Sequence, residues 1–314
     1  MTFLSGIDLS RRFYAEAVAP AVDGPHSAAL VGPGSEVLGF DTARSADHDW
    51  TARVFLFLPE PREPRVPATF LGHPVKLVVA TLDGWARDFL GFDPLHPRPH
   101  DWLATPTQVF AEFTGGAVFH DDLGFETLRQ RVAWYPDDVW RYVLACQWQR
   151  IGQEEAFVGR CGEVGDELGS AVVAARLVRD LMRLCLLMAR RYPPYGKWFG
   201  SAFARLPAAV TLAPHLTGAL AATTWRERER HLVAAYENVA ELHNALGLTD
   251  RVNPRTRPFF DRPFQVIDAG RFVTPLLAGT PSANPVGAID QFVDSTDALG
   301  HRALTRAVVD CVHG

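Results

Sequence analysis

Lysine is nearly absent from this chain of 314 residues: of its 31 basic residues, 29 are arginine, and the two lysines are Lys76 and Lys197. Such a bias is the mark of a GC-rich coding sequence, and it makes each lysine a position to question. Cysteine is equally sparse. Cys146, Cys161, Cys185 and Cys311 stand far apart with no C-x-x-C pair, and H-E-x-x-H is missing among the scattered histidines, which argues against structural zinc at ligand spacing. Cys146 and Cys185 sit in apolar helical contexts and read as buried thiols, so a reducing cytoplasm is the expected compartment. The longest apolar stretch, LMRLCLLMA at 181–189, is broken by Arg183, so no membrane span is expected. The opening residues MTFLSGIDLSRRF lack the basic-then-apolar order of a signal peptide. A net charge of -5 excludes nucleic-acid binding by bulk positive charge. No G-x-x-x-x-G-K-[ST] occurs, Val37 replaces the last glycine of a G-x-G-x-x-G, and G-x-S-x-G is absent, so P-loop, dinucleotide-fold and hydrolase-elbow chemistries lose their motifs.

What remains is a chain able to bury a core, 47% hydrophobic and 21% charged. Ser5 and Asp8 resemble a capping box, and Leu9, Phe13, Ala17 and Val18 recur at helical spacing, which predicts a helix over 6–22 ended by Asp23-Gly24-Pro25. Ser27–Val31 reads as a buried strand, Gly32-Pro33-Gly34-Ser35 as a tight turn, and 47–58 and 75–82 as further strands. Beyond 122 the pattern is helical, with 137–158, 163–191 and 223–246 carrying apolar residues at i, i+3, i+4, the last closed by Gly247. The segment 250–300, rich in Pro, Asn, Asp and Gly, reads as a surface wrap. The expected fold class is α+β: a small mixed α/β domain over 1–95, then a larger helical-bundle domain over 96–314 with a wrapping tail.

The informative stretch is LVGPGSEVLGFDTARSADHDW, residues 30–50. A strand ends in Gly34-Ser35, and after eleven residues Asp47-His48-Asp49 opens the next strand. Residues two apart on a strand share a face, with Cα atoms about 6.5–7 Å apart. Two carboxylates so placed converge on Mg²⁺, a hard ion that prefers oxygen ligands. Gly34 leaves room for a phosphate to approach the backbone, and Ser35 adds a hydroxyl. A phosphate cradle beside a metal-binding carboxylate pair is what nucleotidyl transfer needs.

This arrangement resembles the signature of the DNA polymerase β-like nucleotidyltransferase superfamily, matched by Gly34, Ser35, Asp47 and Asp49. The stretches GSEVLGFDT…DHDW, IGQEEAFVGRCGEVGDELGS, RLVRDLMRL, PPYGKWFGSAFARL and IDQFVDSTD resemble a bacterial family of unknown function assigned to that superfamily, with a C-terminal helical domain. The resemblance implies Mg²⁺ or Mn²⁺ as cofactor, a nucleoside triphosphate as substrate, Asp47 and Asp49 as catalytic metal ligands, and Gly34 and Ser35 at the triphosphate. It also implies a third carboxylate on a later strand, yet 75–82 reads VKLVVATL, and Asp83 follows only at its end. Two functions therefore stay open: transfer of an NMP group to an acceptor, or nucleotide binding or regulation on the same fold with weakened chemistry. The acceptor is expected to be a small molecule, with a protein acceptor as the alternative. No nucleic acid and no membrane partner are expected, and the oligomeric state is open.

Lys197, in PPYGKWF just past a long helical segment, is a candidate cation for the triphosphate, or else a surface lysine on a loop. Glu154-Glu155 and Asp166-Glu167 read as solvated charges and caps, or as groups for an acceptor. Arg176 and Asp180 form a helical i,i+4 pair, and Trp85, Trp102, Trp134 and Trp140 read as core or domain-interface residues.

Overall fold

The computed structural model describes residues 3–47, 51–280 and 282–313, apart from the side chains of Ala46 and Asp47. The chain divides into two compact units, Met1–Asp101 with Thr105–Trp134, and Trp102–Ala104 with Tyr135–Gly314.

The first unit is a mixed sheet with helices on both faces. In chain order its elements are α1 (Gly6–Phe13), β1 (Ser27–Leu30), β2 (Ala52–Phe57), β3 (Thr69–Phe70), β4 (His73–Ala80), α2 (Leu82–Leu90), α3 (Pro99–Ala104), α4 (Thr107–Thr114), β5 (Ala117–Asp121) and α5 (Phe125–Arg131). The last three residues of α3 fall to the second unit. The sheet order is β3-β4-β2-β1-β5. β2 and β4 are parallel, and the other pairs are antiparallel.

The Ser5 hydroxyl starts α1, accepting the Asp8 N–H at 3.2 Å and donating to the Asp8 carboxylate at 2.7 Å. After Phe13 the helical spacing widens to a π-type turn over Tyr14–Val18, then tightens to a 3₁₀ turn over Ala19–Ala21. Leu9, Phe13 and Val18 are fully buried against Ala52, Val54 and Leu56 of β2. The alternate residues Phe55 and Phe57 meet Trp85, and Phe57 also meets Phe125. A strand covered on both faces reads as a continuous apolar run, which is why FLFL shows no alternation.

The sheet departs from expectation in two ways. Of the expected strand over 47–58, Ala52–Phe57 is strand, whereas Asp47 ends a 3₁₀ turn over Ala43–Asp47 and residues 48–50 lie outside the described residues. β5 then adds a fifth strand beside β1, so the first compact unit runs on to Trp134, well past the expected boundary near 95.

The second unit is helical. It contains α6 (Asp137–Glu154), α7 (Phe157–Glu163), α8 (Glu167–Met188), α9 (Gly196–Ala204), α10 (Ala209–Ala221) and α11 (Trp225–Ala245). These are followed by the short hairpin β6 (Arg257–Pro258) and β7 (Gln265–Val266), then α12 (Gly270–Leu277), α13 (Ile289–Phe292), α14 (Thr296–Gly300) and α15 (Arg302–His313). Asp166 caps α8 by accepting the Gly169 N–H at 2.7 Å, and Thr224 caps α11. Gly247 follows α11 with φ +65, the left-handed conformation expected of a glycine there.

The expected surface wrap over 250–300 is in part core. Phe272 of α12 is fully buried and stacks on Trp148 of α6, with ring centroids 4.2 Å apart. Trp148 donates to Nδ1 of the buried His243 at 3.2 Å. Trp102 and Trp140 are buried as expected, and the Cys146 and Cys185 thiols are pushed up to about 12 by burial. No described helix is long and apolar enough to cross a membrane.

Candidate functional site

The turn after β1 is built by its own backbone and anchored by α4. Phe40 donates to Ser35 O at 2.8 Å and Gly39 to Glu36 O at 3.2 Å, closing the loop on itself. Gly32 N–H donates to Glu112 O at 3.1 Å, and Gly116 N–H to Val37 O at 2.7 Å. Gly34 has φ +150, a backbone conformation that side-chain-bearing residues avoid, and a β-carbon there would collide with the Glu36 carboxylate. Ser35 is half-buried. The Asp41 carboxylate accepts the first N–H of α1 at 2.8 Å, and Ser45 accepts the Thr42 N–H at 3.0 Å, so Ser45 serves the turn.

Beneath this turn lies a charged trio that the sequence did not announce. Arg53 of β2 donates to Glu36 at 2.8 Å, and both side chains are largely buried, at 13% and 18% exposure. Burial lowers the Arg53 pKa, an effect opposed by the attraction of Glu36 and Glu112. Burial raises the Glu112 carboxyl above its ordinary range, against a 2.7 Å hydrogen bond from Gln108 and the attraction of Arg53. The Arg53 Nε is buried with no hydrogen-bond partner among the described residues. An orphaned guanidinium donor beside a glycine turn is suited to an anion. The missed signal was Arg53 itself, a charge inside an otherwise apolar strand.

The predicted residues are distributed as follows. Gly34 and Ser35 lie together in the turn. The backbone of Asp47 ends the 3₁₀ helix, whereas its side chain and the whole of Asp49 lie outside the described residues. The third acid is missing from β4, where Lys76 pairs in register with Arg53 and stands exposed. Asp83 does not fill that place. β2 and β4 are parallel from Ala52↔Val75 to Phe57↔Ala80, a span of about 16 Å at strand rise, and Asp83 lies in α2 beyond the far end of β4.

In the second unit, Lys197 stands exposed in the first turn of α9, its Nζ 4.9 Å from the Trp198 ring centre; the expected loop is helix there. Asp180 pairs with Arg150 at 3.3 Å, and Arg176 with Glu154 at 3.0 Å, so the expected Arg176–Asp180 pair gives way to interhelical partners. Glu155 is buried, not solvated. It accepts the N–H groups of Asp268 and Ala269 at 2.8 and 3.0 Å, and burial raises its carboxyl to about 7. It lines a cavity of about 490 Å³ with Gln149, Gln153, Arg257, Phe259 and Asp268, a volume in the small-molecule range.

A family model described as a domain of unknown function (DUF4037) matches residues 102–199. No curated protein matches the chain. A crystal structure of a nucleotidyltransferase-like protein from Exiguobacterium sibiricum 255-15 is similar at 13% identity and a TM-score of 0.34, covering 77% of each chain.

Proposed function

We propose that the protein transfers a nucleoside monophosphate group from a nucleoside triphosphate to an acceptor, with the triphosphate seated on the Gly34–Ser35 turn. The observation that carries this reading is the turn itself: a glycine-only backbone at Gly34, above an Arg53 Nε that has no partner among the described residues, at the start of the segment that bears Asp47 and Asp49. The donor set suits the metal that the resemblance implies, since two carboxylates of type Asp-x-Asp offer hard oxygen ligands. Magnesium or manganese held by Asp47 and Asp49 would neutralise triphosphate charge and make the acceptor hydroxyl more acidic.

Gly34 and Ser35 bind the phosphates through backbone N–H groups and a hydroxyl, while Arg53 supplies positive charge from below. The acceptor oxygen attacks the α-phosphorus, the bond from that phosphorus to the bridging oxygen breaks, pyrophosphate leaves, and the acceptor proton passes to a carboxylate or to water. Lys197, exposed in the second unit, stays a candidate cation for the triphosphate, and its substitution tests that role. The acceptor is a small molecule, with a protein hydroxyl as the alternative.

The missing acid on β4 favours a second reading, a nucleotide-binding or regulatory protein with weakened chemistry. One experiment addresses both. Thermal stability is measured with each nucleoside triphosphate, with and without Mg²⁺, in the wild type, in Asp47→Asn/Asp49→Asn and in Lys197→Arg. A ligand at 100 times its Kd adds about 2.7 kcal/mol. A Mg²⁺-dependent shift lost in the double variant, with pyrophosphate released against a metabolite panel, is the expected result. The same shift without pyrophosphate supports the binding role, and no shift with any nucleotide overturns both. Unchanged affinity in Lys197→Arg and Lys197→Ala removes Lys197 from the site.

A further inference from the structure

At the other end of β1 from the Gly34–Ser35 turn, two histidines and a carboxylate converge. His26 immediately precedes β1, while His120 lies within β5 and Asp122 just past it. His120 and Asp122 are two apart and point to one side of the strand. Asp121, on the other side, is taken up structurally: its carboxylate accepts from the Ser27 hydroxyl at 2.6 Å and from the Phe125 and Glu126 N–H groups that open α5. The register of β5 against β1 slips between Ala28 and Ala29, an irregularity of the kind that re-aims a side chain. The Asp122 N–H donates to His26 O at 2.9 Å, tying the two flanks together.

One ligand atom from each of His26, His120 and Asp122 lies within 4.8 Å of the others. Two contacts hold the His26 ring. Its Nδ1–H donates to Gly24 O at 3.0 Å, since a carbonyl only accepts. Its Nε2 faces the Tyr14 hydroxyl at 2.9 Å. A ring oriented through Nδ1–H on a backbone carbonyl, with Nε2 turned to the cluster, is the usual arrangement of a metal-binding histidine. His120 Nε2 lies 2.7 Å from Asp122 Oδ2. The two imidazoles stack with centroids 4.2 Å apart. Tyr14 opens the π-type turn of the N-terminal helix, a local widening that often marks a functional position. Sequence spacing could not show this cluster, because His26 and Asp122 are 96 residues apart.

We propose that His26, His120 and Asp122 form a binding site for a divalent transition metal, separate from the nucleotide turn. Two imidazole nitrogens and one carboxylate oxygen suit Zn²⁺, Co²⁺ or Ni²⁺ and not Mg²⁺. Ligand atoms on a tetrahedral ion lie roughly 3.3 Å apart at the usual metal–ligand lengths. The half-exposed side chains of His120 and Asp122 reach that spacing by rotation, and the Tyr14 hydroxyl or a water completes the shell.

The test uses the untagged full chain after dialysis against a chelator. Co²⁺ is titrated by visible absorption and Zn²⁺ by calorimetry, in the wild type and in the half-exposed variants His120→Asn and Asp122→Asn. Nitrogen-resolved NMR of the histidine rings in the wild type gives a readout independent of any variant. The expected result is one ion per chain, undiminished by excess Mg²⁺, with the His26 and His120 ring signals moving. Affinity falls roughly tenfold or more in each variant, and the Asp47→Asn/Asp49→Asn protein binds as the wild type does. No binding of Co²⁺ or Zn²⁺ overturns the proposal, as does binding that leaves those two rings unmoved or survives both substitutions.

Discussion

Arg53 and Glu36 pair at 2.8 Å beneath the Gly34 turn, with the Glu36 carboxylate lying where a side chain at Gly34 would be. A carboxylate therefore already sits on the guanidinium and against the glycine, in the place proposed for a phosphate. On the proposed function, a nucleotide seated there would displace Glu36 and take over Arg53.

Glu36→Gln is thus expected to tighten nucleotide binding. A partly buried ion pair that no longer has to be broken is worth about 1 kcal/mol, or roughly fivefold in Kd. Arg53→Met is expected to weaken binding by at least as much, since it removes the cation from the turn. Calorimetric titration with a non-hydrolysable triphosphate measures both. Weaker binding in Glu36→Gln would show instead that the carboxylate takes part in holding the ligand.

Gly34→Ala is expected to lose nucleotide-dependent stabilisation and to lower the stability of the free protein by about 1 kcal/mol, because φ +150 suits only glycine. Urea unfolding with and without nucleotide separates the two effects. A variant with wild-type stability and wild-type nucleotide response would show that the turn conformation has no role in binding.

Phe272→Ala tests whether the C-terminal segment is core. Phe272 is fully buried on Trp148, and deleting a buried phenyl ring costs about 3–5 kcal/mol. A surface wrap would lose a few tenths at most. Denaturant midpoints at constant slope decide between these.

His243 makes stability depend on pH. Burial lowers its pKa to about 4, and the Trp148 N–H occupies the Nδ1 lone pair that a proton would need. The unfolded state therefore binds the extra proton between about pH 6.5 and 4, so His243 costs stability as pH falls through that window, about 3 kcal/mol in all. Glu155, raised to about 7 by burial, binds its proton more readily when folded and acts in the opposite sense between about pH 4.5 and 7. The wild-type profile shows only the difference. His243→Gln is expected to gain stability relative to the wild type as pH falls from 6.5 to 4, read from urea unfolding at several pH values. A constant difference across that range would remove His243 as the source.

Much of the framework was legible in the sequence. Ser5 with Asp8, and Gly247 after the Leu232–Leu246 run, marked helix ends, because caps and apolar periodicity are set within a few residues of chain. Ser27–Leu30 was legible as a strand and Gly32–Ser35 as its turn for the same reason. The backbone at Asp47 was not, since the 3₁₀ turn over Ala43–Asp47 interrupts an otherwise strand-like pattern.

What the sequence determined by itself was local: where helices start and stop, that Gly34 ends a turn, and that Asp47 and Asp49 stand two apart behind it. Tertiary structure decided the rest. It brought β5 beside β1, and with it His120 and Asp122 to His26. It set Arg53 on Glu36, placed Lys76 across from Arg53 on the strand that was expected to carry an acid, and buried Phe272 on Trp148. These meetings depend on strand register and helix docking between segments tens of residues apart. A register slip of one residue turns every side chain of a strand to the other face, and no local pattern records which register the chain adopts.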